Sequence, residues 1–292
     1  MRIATVIDDQ RSWLGIVDPD ARTVQEVSAP TAGYTDPAIA FIESVQTGRQ
    51  PPFAAEPVSL DAVRLLSPIR QPSKNIICVG KNYRAHAAEF TGSGYDSSAT
   101  NPDDAVPDAP ILFSKAPSCL VGAFDDVVVP WELSEEIDYE AELGVIIGRR
   151  GRNIAEAEAM DYVWGYTVIN DITARDLQSR HKQWLLGKSI DTFCPMGPSI
   201  VSADELDPAN LVLSCWVNGE LRQQANTKDL IFDIPTIVAV ASASMTLEPG
   251  DIIATGTPAG VGIGFTPPRF LKKEDVVRVS IPEIGTIENR IT

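Results

Sequence analysis

The apolar residues of this chain come in short runs, and that limits its fold more than any single motif does. Ile3–Ile7, Leu14–Val17, Asn75–Gly80, Ile111–Phe113, Val127–Val129, Asp138–Ile147, Val163–Ile169 and Leu211–Val217 are all of strand length. Asn218-Gly219, directly after the last run, is a hairpin-turn signal. Helical composition is confined to Pro37–Thr47, Tyr83–Phe90, Ala155–Tyr162, Ala174–Leu186 and Ile231–Met245. Strands interleaved irregularly with a few helices predict an α+β fold, not a repeating βαβ array. No apolar run approaches the roughly 18 residues that span a bilayer.

Two Pro-bearing stretches, Arg49–Pro57 and Ser67–Pro72, bracket the short segment Val58–Leu66. They predict a small leading domain over 1–70 and a main domain over 71–292. Within the second, Thr91–Pro110 holds Gly, Ser, Asp, Asn and Pro but few large apolar side chains. A loop of that length is usually functional or disordered, and its lack of apolar anchors predicts a lid that is disordered without ligand and orders over substrate. With 24 Lys and Arg against 40 Asp and Glu, the net charge is −16. That balance excludes non-specific nucleic-acid binding and a polybasic membrane surface. The acids at Asp8 and Asp9 stand where a signal peptide would stay apolar, so a cytoplasmic protein is expected. The four cysteines Cys78, Cys119, Cys194 and Cys215 form no C-x-x-C and are expected to be reduced and buried.

Only His86 and His181 are present, which argues against a histidine-rich zinc or copper site. Any metal should be a hard cation held by carboxylates. In a strand over Asp138–Ile147, Glu140 and Glu142 share the face opposite Tyr139, Ala141 and Leu143. Glutamates are poor strand formers, so the pair is either a cation site or a solvated polar face. Asp171 ends the apolar run Val163–Ile169 and fits a ligand or a helix N-cap equally well. His86 and Glu89, at i and i+3, fit a carboxylate-oriented general base or a surface ion pair. Gly187-Lys188-Ser189 is not a P-loop, because Lys182 stands where the leading glycine belongs. The glycine-rich turn Gly256–Gly264 follows an apolar run and could offer backbone N–H groups to an anionic ligand, or be a plain loop.

In order along the chain, these pieces resemble the fumarylacetoacetate hydrolase superfamily. The stretches that carry the resemblance are Cys78-Val-Gly-Lys-Asn-Tyr83 with His86 and Glu89, Asp138-Tyr-Glu-Ala-Glu142, Asn170-Asp-Ile-Thr-Ala-Arg-Asp-Leu-Gln178, Gly187-Lys-Ser-Ile-Asp-Thr-Phe-Cys-Pro195 and Gly256-Thr-Pro-Ala-Gly-Val-Gly262. The resemblance implies a mixed β-sandwich or β-roll catalytic domain behind a small leading domain, and a homodimer. It implies Glu140, Glu142 and Asp171 as ligands of Mg²⁺ or Mn²⁺, and His86 with Glu89 as a water-activating dyad. It implies Lys188 as the active-site lysine and Arg175, Gln178, Lys188 and Thr257 as substrate contacts. The additional early Asp ligand and longer leading domain of the enzyme that names the family are absent, so the chain is more like the shorter acylpyruvate-hydrolase and decarboxylase branch. The activity this implies is cleavage of the C3–C4 bond of a 2,4-dioxo acid to pyruvate and a carboxylic acid. Oxaloacetate decarboxylation, 2-hydroxydienoate isomerisation and non-catalytic dicarboxylate binding are the rival readings.

Overall fold

The computed structural model describes residues 1–28, 33, 35–96 and 105–292. Its largest element is a 12-stranded mixed sheet, and about half of its strands lie where the short apolar runs predicted them. From one edge the order is Val58–Ser59, Thr23–Glu26, Ser12–Asp18, Arg2–Ile7, Cys194–Ser202, Val163–Asn170, Ala141–Ile147, Ile252–Ala254, Ile76–Gly80 and Ile111–Lys115. Two short strands branch from this path. The leading residues join the rest by backbone hydrogen bonding, since Arg2–Ile7 pairs antiparallel with Cys194–Ser202.

A four-stranded antiparallel sheet, in the order Glu220–Asn226, Val212–Val217, Val276–Ile281 and Gly285–Arg290, packs against the large one. One hydrophobic core runs through both. Packed sheets with a few peripheral helices are the α+β sandwich architecture that was expected. The turn at Asn218-Gly219 has φ values of 52° and 80°, the left-handed pair that a two-residue hairpin loop needs.

The centre of the large sheet explains where the site sits. Ala141–Ile147 and Val163–Asn170 are buried at every position, as strands covered on both faces must be. They pair antiparallel with Ala141 opposite Asn170 and Glu142 opposite Ile169. One step further along, the Asp171 amide donates to the Glu140 carbonyl at 2.8 Å. The register therefore brings Glu140 and Asp171 together at the mouth of the sheet, with Glu142 two residues inward on the Glu140 face.

Several expectations are corrected. The strand over Asp138–Ile147 divides into Ile137–Asp138, which pairs with Thr173–Ala174, and Ala141–Ile147. Tyr139 and Glu140 form the step between them, and Arg175 spans it by contacting both Asp138 and Glu140. Val127–Val129 forms no full strand: Val127 makes an isolated bridge to Ile291, held by a few backbone hydrogen bonds with Arg290 and Thr292 that do not extend into a ladder. Ala155–Tyr162 is a 3₁₀ segment over Glu156–Tyr162, and its N-cap Ala155 has no side-chain oxygen to start an α-helix. Ala174–Leu186 divides into Arg175–His181 and Leu185–Lys188, with Lys182 at φ 58° breaking the helix. All four cysteines are buried and free. No helix among the described residues is long and apolar enough to cross a membrane.

Close strand approach can be tested at Gly165, where an added Cβ would press on the Val201 carbonyl oxygen of the neighbouring strand. Gly165→Ala is expected to cost about 1–3 kcal/mol in urea unfolding, because backbone cannot move aside as a flexible side chain can. Gly92→Ala, where an added Cβ meets nothing within 4 Å, is the control. Equal midpoints for the two variants would contradict the tight pairing.

Candidate active site

Four carboxylates and three cationic side chains are buried together at the end of the two central strands. Asp138 and Asp171 are each 0% exposed, Glu142 is 1% and Glu140 is 4%. Oxygens of Glu140, Glu142 and Asp171 lie within 4.8 Å of one another. At that separation two full charges repel by about 3–4 kcal/mol at an effective dielectric near 20. Lys188 answers part of this repulsion, its Nζ lying 2.7 Å from Glu140 Oε2 and 2.8 Å from Asp171 Oδ2. Lys115, also fully buried, donates to Asp171 Oδ1 at 2.6 Å and to the Ile172 carbonyl at 3.1 Å. Arg175 donates from Nε to Asp138 Oδ2 at 2.9 Å. Its Nη2 lies 2.7 Å from Glu140 Oε1, as an ion contact outside hydrogen-bond alignment.

The compensation is uneven, and Glu142 is the acid left short. It accepts one hydrogen bond among the described residues, from the Gly256 amide at 2.8 Å. Burial, then the Asp171 and Glu140 charges, push its pKa well above the usual carboxylate range. For Glu140 burial acts in the same upward direction, but Lys188, Arg175 and His86 outweigh it and hold the pKa at about 2. Burial disfavours the Lys115 ammonium, yet Asp171 prevails and raises its pKa. Three oxygen donors one positive charge short of balance are suited to a small hard cation.

The His86–Glu89 pair lies over this cluster. His86 Nδ1 is 3.2 Å from Glu89 Oε2, and both side chains are largely buried, so the pair is not a surface ion pair. The Gly260 amide donates to both Glu89 oxygens at 3.0 and 3.2 Å. His86 stacks on Phe90, which meets Trp184 edge-on, and Phe113 closes the same apolar roof. His86, Glu140, Glu142, Arg175, Lys188 and Thr257 line one cavity of about 20 Å³, enough for about one water-sized particle.

The glycine-rich turn does something other than cradle a free anion. Gly256 N serves Glu142, Gly260 N serves Glu89, and Gly262 N and Ile263 N serve the two oxygens of Asp138 at 2.6 and 3.1 Å. Its anionic ligands are the protein's own carboxylates. Gly256 and Gly260 have φ of +103° and +102°, a backbone that side-chain-bearing residues rarely adopt.

Every residue expected at the site is at or beside the cavity, though not all are free to meet a ligand. Asp171 caps no helix, since the next one begins at Arg175 behind Ala174. Gln178 Oε1 accepts from Arg175 Nη1 at 3.1 Å, and Thr257 Oγ1 accepts from Gln223 Nε2 at 2.8 Å. Sequence reasoning missed Lys115, Asp138 and Gln223. Asp138 opens the motif quoted for the glutamates, so its signal was present, whereas Lys115 and Gln223 sit in otherwise ordinary strands. Of the expected lid, Asp96 accepts from both Lys81 and Thr91, with Lys81 Nζ and Thr91 Oγ1 each 2.8 Å from Asp96 Oδ2. Residues 97–104 of that stretch lie outside the described residues.

Comparison with known proteins places these features in a family. A family model described as fumarylacetoacetate (FAA) hydrolase C-terminal matches residues 75–292. The oxaloacetate tautomerase YisK of Bacillus subtilis (strain 168) is 50% identical over 234 residues, covering 80% of this chain and 74% of that protein. The structure of a fumarylacetoacetate hydrolase from psychrophilic Exiguobacterium antarcticum matches with a TM-score of 0.82 and 40% identity, over 100% of this chain and 99% of that one. A maleylpyruvate hydrolase from Sphingobium sp. SYK-6, in complex with manganese (II) ion and pyruvate, matches with a TM-score of 0.77 and 33% identity, over 100% and 99% of the two chains.

The charge imbalance has opposite consequences for two neighbouring glutamates. The folded pKa of Glu142 is raised, so its ionisation weakens the metal-free fold as pH climbs above the unfolded value. The folded pKa of Glu140 is lowered to about 2, so its contribution is present above the unfolded pKa and lost as pH falls towards 2. In EDTA, Glu142→Gln is expected to raise the melting temperature near neutral pH, with the gain shrinking towards about pH 5. Glu140→Gln should lower it, by the equivalent of about 3 kcal/mol. Melting curves of the two variants shifting in the same direction would contradict this distribution of charge.

Proposed function

The chain belongs to the fumarylacetoacetate hydrolase family, and from that premise we propose that it is a divalent-cation-dependent enzyme interconverting the keto and enol forms of oxaloacetate. The observation that carries this reading is a buried acid triad of which Glu140 and Glu142 line one cavity with His86, whose ring is held by Glu89. The 50% identity with an oxaloacetate tautomerase favours this substrate over the acylpyruvates that the sequence first suggested.

Glu140, Glu142 and Asp171 would hold Mg²⁺ or Mn²⁺, and the under-compensated Glu142 fits such a group. When bound, the cation would supply Lewis acidity to the oxygens of a 2-oxo carboxylate. The proton work falls to this chain's own residues. With Nδ1 on Glu89, His86 keeps Nε2 for the substrate, takes a proton from C3 and allows one to be delivered to the 2-oxygen. Glu89, fixed by the Gly260 amide, holds the ring and offsets its positive charge while it carries the proton. Lys188 and Arg175 set positive charge beside the developing oxyanion. Gln178 and Thr257 orient the distal end of the substrate. The aromatic roof of Phe90, Phe113 and Trp184 limits entry of water. A cytoplasmic location and a homodimer belong to the same proposal.

A second reading rests on the manganese- and pyruvate-bound maleylpyruvate hydrolase. There His86 would activate water for attack on a 2,4-dioxo acid instead of shuttling a proton on the substrate carbon. The full His86–Glu89–Lys188 set speaks for catalysis over mere dicarboxylate binding.

The two enzyme readings separate on products. With Mg²⁺ present, wild type should speed the decay of enol-oxaloacetate absorbance without releasing pyruvate. His86→Ala and Glu89→Ala should lower that kcat by roughly 10²–10⁴, the range for loss of a general base. Glu140→Ala should abolish it. Pyruvate formed from acetylpyruvate or oxaloacetate faster than the enol decays would overturn the tautomerase reading in favour of hydrolysis or decarboxylation.

A further inference from the structure

Gln223 reaches the candidate active site from the other sheet. It stands on strand Glu220–Asn226, whose register with Val212–Val217 pairs Gln223 with Cys215 but Leu221 with Trp216. Arg222 is therefore the extra residue of a bulge, a device that bends a strand and re-aims its side chains. Gln223 is 1% exposed, although Leu221 and Gln224 beside it are exposed. Its Oε1 accepts from the Ala141 amide, between the two glutamates, at 3.0 Å. Its Nε2 donates to the Pro258 carbonyl at 2.7 Å and to Thr257 Oγ1 at 2.8 Å.

A backbone N–H at one end and a carbonyl at the other leave this amide one orientation. Its nitrogen can only donate, so Thr257 Oγ1 is the acceptor in their contact. Among the described residues no hydrogen bond spends the proton of Thr257 itself, and Thr257 lines the cavity with Glu140, Glu142 and Lys188. Gln178 is held in the same sense. Its Oε1 accepts from Arg175 Nη1, which leaves its Nε2 protons for the same cavity. The hydroxyl and the amide are thus both turned to donate. An ionised carboxylate can only accept, so such a wall suits it and disfavours an amide in its place.

We propose that Gln223 is a positioning residue: by occupying a lone pair of Thr257, it fixes that hydroxyl as a donor to a carboxylate oxygen of the bound oxo acid. Without it the hydroxyl is free to turn, and its proton is no longer held ready for the ligand. The proposal rests on the reading of this cavity as an oxo-acid site, but not on which reaction follows binding.

The test is isothermal titration of the full chain with Mn²⁺ present, using oxalate and malate, dicarboxylates of shorter and longer reach. Thr257→Val should weaken at least one of them about tenfold, the loss of one hydrogen bond to a charged acceptor, and Thr257→Ser should keep that affinity. Gln223→Met, which cannot donate, should weaken the same ligand severalfold alone and add nothing to Thr257→Val. Gln223→Glu keeps an acceptor for the Ala141 amide and supplies the same comparison should Gln223→Met not fold. A loss of equal size with and without the Thr257 hydroxyl would assign Gln223 to holding the acid strand through Ala141, and overturns the proposal. So does wild type that binds neither ligand, or Thr257→Val that binds both as wild type does. Enol-oxaloacetate decay keeps the two readings apart. Decay sped by a chain whose ligand affinity ignores Thr257 would overturn this inference alone, and coupled binding losses without such decay would overturn only the tautomerase reading.

Discussion

Burying Asp138, Glu140, Glu142 and Asp171 together at the end of the two central strands is the constraint from which the rest of the structure follows. Each ionised carboxylate taken out of water costs several kcal/mol unless cations and donors replace its hydration. Lys115, Arg175 and Lys188 supply three charges from three different parts of the chain. Four acids against three bases leave a deficit of one, and it falls on Glu142. Bases that fully balanced the acids would stabilise the fold and leave nothing for a cation to do. The imbalance is the feature that suits this buried ionic cluster to a hard cation.

Much of the remaining architecture serves to hold these charges in register. The antiparallel pairing of Ala141–Ile147 with Val163–Asn170 sets Glu140 beside Asp171. The small pairing of Ile137–Asp138 with Thr173–Ala174 then turns Asp138 towards Arg175 and the glycine turn. That turn spends successive backbone amides on Glu142, Glu89 and Asp138, tying the acid triad, the histidine pair and the arginine anchor to one segment of backbone. A displacement of the turn would disturb all three together.

About half of the strands, and the acids, were legible in the sequence for a physical reason, whereas Cys194–Ser202, Val276–Ile281 and Gly285–Arg290 were not anticipated. Short apolar runs bounded by turn residues favour strands of a layered fold, and glutamates inside such a run are conspicuous. The ordered set of motifs also carried the family, which the match over residues 75–292 bears out. What stayed hidden depends on partners far along the chain. Lys115 looks like any strand-end lysine until it meets Asp171, 56 residues away. The glycine turn was legible as a donor of N–H groups to an anion. That the anions are Glu89, Asp138 and Glu142 is a tertiary fact with no local signature. The break at Lys182 was hidden likewise, since nothing in Ala174–Leu186 forbids one continuous helix.

The central claim is that Glu140, Glu142 and Asp171 together hold one divalent cation, with Glu142 the ligand whose charge is otherwise unanswered. Isothermal titration of Mn²⁺ into EDTA-treated and desalted protein tests it most directly. Wild type should bind one ion per chain, and Glu142→Gln, which keeps shape but removes the charge, should bind at least about a hundredfold more weakly while remaining folded. Unchanged Mn²⁺ affinity in Glu142→Gln would contradict the account.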